Sequence, residues 1–95
     1  MFIVLLKFAV NRSKALEFME GHKAWLQRGF DDGVFLIAGS LQPNLGGGIL
    51  ARGVSRADLV RRVNDDPFVA EHVVEAEILE LSPSRTDARL AFLQG

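Results

Sequence analysis

Apolar residues follow two spacings along this chain, and the switches between them outline its elements. Phe2 to Val10 is an almost unbroken apolar run interrupted by Lys7. It predicts a strand that is apolar on both faces and covered on both sides of its sheet. The spacing then turns helical: Ala15, Phe18, Met19, His22, Trp25, Leu26, Gly29 and Phe30 fall at steps of three and four, the stripe of a core-facing helix. Polar Asn11, Arg12 and Ser13 open that helix, and Asp31-Asp32-Gly33 closes it with Gly33 as a left-handed cap. Val34 to Leu41 predicts a second strand. Gln42-Pro43-Asn44 predicts a turn, Gly46-Gly47-Gly48 a loop or bulge, and Ile49 to Val54 a third strand. Ser55-Arg56-Ala57-Asp58 reads as a capping box with Asp in place of Glu. The helix behind it turns Ala57, Val60 and Val63 inward, with Leu59 alongside. Asn64-Asp65-Asp66-Pro67 stops it, because the residue before a proline is pushed out of helical geometry. Phe68 to His72 predicts one short turn, Val73 to Leu81 a fourth strand, and Pro83 its end.

The order is βαββαβ, which predicts an α+β, ferredoxin-like domain: two helices on one face of a four-stranded antiparallel sheet. Residues 1–83 form that single domain. Residues 84–95 form a tail whose Leu90, Phe92 and Leu93 suit a short helix docked on a neighbour. The first two strands are apolar on both sides, so the second sheet face also needs cover, and a second copy of the chain is the simplest source. A homodimer is expected.

Ninety-five residues suit one domain. Eleven Lys and Arg stand against twelve Asp and Glu. There is no basic field for a nucleic-acid backbone and no polybasic cluster for a membrane surface, so neither partner is expected. With no cysteine and only His22 and His72, disulfides, thiolate sites and cysteine nucleophiles are excluded. A histidine-rich metal site is not expected. The opening Met-Phe-Ile-Val-Leu-Leu run is too short to span a bilayer and lacks the basic start of a signal peptide, so a cytoplasmic protein is expected.

Candidate chemistry centres on His22. An imidazole on an inward stripe is either satisfied by a neighbour as a core residue or kept for proton transfer near neutral pH. His22-Lys23-Ala24-Trp25-Leu26, the strand ending Ala38-Gly39-Ser40, and Asp66-Pro67-Phe68 together resemble the YciI-related family over about residues 1–82. The resemblance implies a dimeric α+β barrel with a His–Asp pair beside a pocket in each subunit. On this chain the pair is His22 and Asp66, with Asp65 as the fallback. A carboxylate bonded to one ring nitrogen fixes the tautomer and leaves the other nitrogen as general base or acid. Family members with an assigned reaction include one that eliminates HCl from chlorinated hydroxyquinols. The resemblance therefore implies a cofactor-free lyase or isomerase acting on a small aromatic or quinol-like ring. A cofactor-independent oxygenase of the same superfamily and a non-catalytic ligand-binding dimer are the alternatives.

Three positions depart from the family pattern. Met19 stands where an Arg is common, Ser40 where a Pro follows the Ala-Gly pair, and His72 where a Gly is common. Losing the Arg removes an anion-binding donor, while Ser40 adds a hydroxyl for a substrate oxygen. Phe68 and Trp25 serve either as core or as the flat wall of an aromatic-ring site. Asp66 otherwise reads as a helix-ending cap, and His72 as a surface residue.

Overall fold

The computed structural model describes residues 1–94; Gly95, the last residue of the expected tail, lies outside them. Four strands, β1 (Phe2–Phe8), β2 (Phe35–Leu41), β3 (Gly46–Ala51) and β4 (Val74–Glu80), form one sheet in the order β2-β3-β1-β4. Every neighbouring pair is antiparallel. Helices α1 (Ala15–Asp31) and α2 (Arg56–Asn64) and the four-residue α3 (Pro67–Ala70) complete a ferredoxin-like α+β fold.

Strand register sorts the core. Val4 lies between Ile49 and Ile78, and Leu6 between Gly47 and Ala76, so Phe2, Val4 and Leu6 share one face with Ile49 and Ala51. These five are buried together with Trp25 of α1 and Leu59 and Val63 of α2. The other face carries Ile3, Leu5 and Leu50, only partly buried, flanked by Ile37 at 61% and Leu79 at 43% exposure. The main helices therefore cover one face and leave an apolar sheet surface on the other.

Local chemistry sets the helix ends. Gly33, at φ +72°, continues past Asp32 in the left-handed region, where glycine carries no Cβ penalty. The Ser55 side chain accepts the Asp58 N–H, and that cap sets the phase of α2. The phase corrects the expected stripe: Leu59 and Val63, four apart, point inward, whereas Ala57 and Val60 face out. A 3₁₀ turn at Arg12–Lys14 precedes α1, and Asn11 spends its side chain on the Glu71 carbonyl instead of a cap.

The strand ends also differ from the sequence pattern. β1 stops at Phe8, leaving Val10 87% exposed. Gly46 to Gly48 are strand, not loop: they pair with Leu5–Lys7 on one side and with Gly39–Leu41 on the other. A ladder on both sides outweighs the poor intrinsic strand preference of glycine. β3 in turn ends at Ala51 rather than Val54. In the tail, Ala88–Leu93 form 3₁₀ turns capped by Asp87. The Arg52 guanidinium lies 5.4 Å from the Phe92 ring centre, while Leu90 and Phe92 stay about half exposed. Among the described residues, no helix is long and apolar enough to cross a membrane.

Candidate active site

Two sequence signals forty-four residues apart meet in space. The helical stripe points His22 off α1 toward the short turn that follows α2, where Asp66 sits. Proline at 67 holds Asp66 in extended backbone, φ −64° and ψ 122°, and its side chain caps α3. Asp66 Oδ1 accepts the Phe68 backbone N–H at 3.0 Å, and His22 Nδ1 lies 2.8 Å from the same oxygen. Asp66 is completely buried, and the His22 side chain is 14% exposed. Against an ionised carboxylate, which only accepts, Nδ1 must carry the proton, so the neutral ring presents Nε2 as its acceptor. Asp66 Oδ2 is buried without a hydrogen-bond partner among the described residues.

Beside this pair lies a cavity of about 330 Å³, walled in part by His22, Phe68, Leu26 and Ser40. Its origin is legible in the strand register. Core-facing positions at one end of the sheet carry bulk, with Phe35 paired to Ala51 and packed edge-on against Trp25 at 5.1 Å. At the other end β2 and β3 carry only Ala38, Ser40 and Gly47 on that face, so the larger Leu6 and Phe8 of β1 border a space instead of filling it. A Cβ on Gly47 would meet only the Gly39 carbonyl oxygen, at 3.4 Å. The missing side chains leave the space. Its lining is mostly apolar, the pattern of a small-molecule site with few polar points.

The remaining candidates fall as follows. Ser40 lines the cavity from β2. Phe68, 7% exposed, lines it too and stacks on the imidazole, with ring centres 4.1 Å apart and planes 4° apart. Trp25 lies outside this lining: it is buried in the core and donates its indole N–H to the Arg62 carbonyl at 2.8 Å. Asp66 rather than Asp65 reaches His22; Asp65 lines a separate hollow between α1 and α2 with Arg28 and Arg62. Met19 lies on the cavity wall. His72 is exposed, at φ +58°. Lys23 and Gly47, both on the lining, were not singled out by the pattern. Lys23 carried a signal in its place beside His22, but Gly47 was hidden in a glycine run that reads as a turn. Among the described residues, no three His, Asp or Glu side chains are grouped to hold a metal ion.

No family model and no curated protein matches the chain. A solved structure does: the 5-chloro-2-hydroxyhydroquinone dehydrochlorinase TftG from Burkholderia phenoliruptrix AC1100, in complex with 2,5-dihydroxybenzoquinone. The TM-score is 0.68 at 12% sequence identity, over 85% of this chain and 93% of that one. At that identity the likeness is one of fold.

Proposed function

We propose that this protein is a small enzyme in which His22 moves a proton to or from a planar, quinol-like ring held in the cavity. One observation carries the reading: an imidazole anchored through Nδ1 on a buried carboxylate forms part of the wall of an apolar space. Asp66 holds the tautomer and Nε2 acts as general base, a role that contributes ~10²–10⁴-fold in rate. Ser40 donates to a substrate oxygen, and Phe68 supplies an apolar wall. HCl elimination fits these parts. Nε2 takes a proton from the substrate while chloride leaves with its bonding pair, and the ring is left as a quinone, lighter by one HCl. Isomerisation by the same proton transfer is the companion reaction. Neither step needs a metal or an organic cofactor. The fold it shares with a dehydrochlorinase adds support. A homodimer closing over Ile3, Leu5 and Leu50 completes the reading, supported by the apolar character of that sheet face.

The test is turnover of chlorinated hydroxyquinols by wild type and His22→Gln, with folding checked by thermal melting. A folded variant slowed by about 10²-fold or more agrees with the reading. A folded variant that turns over as fast as wild type ends it, and a wild type without turnover favours a binding protein. Sedimentation of Leu5→Glu tests the dimer: the variant should run as a monomer if that face is the interface.

A further inference from the structure

A single hydrogen bond does not hold an imidazole still. The last torsion of a histidine side chain is broad, with two shallow preferences, so a ring anchored only through Nδ1 can still rock about that contact. Here the turn that carries the carboxylate also carries a second restraint. Phe68, two residues beyond Asp66, lays its ring flat on the imidazole at 4.1 Å and 4°. Its backbone N–H binds the same Oδ1 that faces Nδ1. The carboxylate acts in the plane of the imidazole and the phenyl acts across its face, so the two restraints are nearly perpendicular. Trp25, 5.8 Å away and tilted by 27°, lacks the parallel contact. The turn comes this near α1 because position 21 is glycine: a Cβ there would lie 3.0 Å from Pro67 Cγ.

We propose that Phe68 is a positioning residue for His22: its face fixes the tilt of the imidazole, so that Nε2 keeps one place on the cavity wall. The proposal rests on the reading of His22 as the reactive group and adds a role for Phe68 beyond that of wall. One phenyl face is spent on the imidazole, so a planar guest meets the imidazole–phenyl pair as one unit.

The test reads the ring itself, by two-dimensional ¹H–¹⁵N correlation of the histidine side chains in uniformly labelled protein at neutral pH. The chain has two histidines, and His72→Gln, at an exposed residue outside the site, assigns the signals. Wild type should show His22 in one tautomer with the proton on Nδ1. Phe68→Leu keeps the backbone donor and the apolar bulk but has no flat face; Phe68→Met does the same should leucine fail to fold. In either variant, folded by thermal melt, the tautomer should persist because Asp66 still holds Nδ1. ¹³C relaxation of the His22 ring C–H bonds should report motion of larger amplitude, and Phe68→Tyr should restore the wild-type amplitude. A folded leucine or methionine variant whose His22 ring is as rigid as in wild type overturns the proposal, as does a wild-type ring that is already mobile. Turnover plays no part in this readout. Retained activity in His22→Gln would thus end the catalytic reading without touching the restraint, and an unmoved ring would end the restraint without touching catalysis.

Discussion

Removing the Asp66 carboxylate tests the centre of the site through stability alone. In Asp66→Ala, the Phe68 N–H and the His22 Nδ1–H lose their shared acceptor; the first of these two bonds is also the cap of α3. An unsatisfied buried donor costs about 1–3 kcal/mol, so the pair costs about 2–6 kcal/mol. Against this, the variant no longer desolvates a charge, a term of several kcal/mol in the opposite direction. The donors are the nearer neighbours and have no other acceptor in the turn, so we expect a net loss of about 2–4 kcal/mol. A 95-residue domain holds roughly 0.05–0.15 kcal/mol per residue, so the variant should still fold. Its Tm should fall on the order of 10–20 °C. His22→Ala should also destabilise, because it strands a buried carboxylate on one remaining donor. Urea unfolding of wild type, both single variants and the double variant, at neutral pH and fixed protein concentration, closes the cycle. A coupling of about 1–3 kcal/mol is the expected signature of a real pair. Additivity within about 0.5 kcal/mol would refute the reasoning, because the 2.8 Å contact would then carry no energy.

The boundary between what the pattern revealed and what it hid follows from how each feature is encoded. A long amphipathic helix writes itself in its own spacing, so α1 and the inward placing of His22 were legible from residues 15 to 30. The partner was not: nothing in the periodicity of either segment names Asp66, and only the resemblance singled it out over Asp65. The two differ by one position, and the proline that follows Asp66 decides which of them caps α3 and which faces the hollow beside Arg62. The phase of α2 was misread because Val60 is as apolar as Leu59, whereas the geometry of the Ser55 cap chooses between them. The glycine run was misread for the opposite reason. Its strand state is imposed by β1 and β2 on either side, and a residue without a side chain carries no pattern to announce that. Periodicity is silent on the cavity for the same cause, since it is made of what Gly47, Ala38 and Ser40 lack; the resemblance alone implied a pocket beside the pair, with Ser40 and Phe68 among its candidate residues.

Three further substitutions probe the packing that shapes the site. Ser55→Ala removes the oxygen that accepts the Asp58 N–H and should cost about 1 kcal/mol in urea unfolding; an unchanged midpoint would mean the cap is idle. Gly29→Ala brings two effects of opposite sign. Alanine favours a helix interior over glycine by about 1 kcal/mol, but its Cβ would fall inside the Phe35 ring, which is buried against Trp25. Overpacking of about 1–3 kcal/mol should win, and a raised Tm would show that the ring can step aside. Gly47→Val goes the other way. The backbone at 47 is outside the left-handed region and the new Cβ meets only one carbonyl oxygen, so a β-branched residue suits the strand. The added methyl groups enter the cavity instead of the core. Stability should therefore stay within about 1 kcal/mol of wild type, while calorimetric binding of a small hydroquinone is lost. A variant that still binds with wild-type affinity would place the ligand elsewhere. A variant that unfolds would show that the space beside Gly47 is smaller than the register implies.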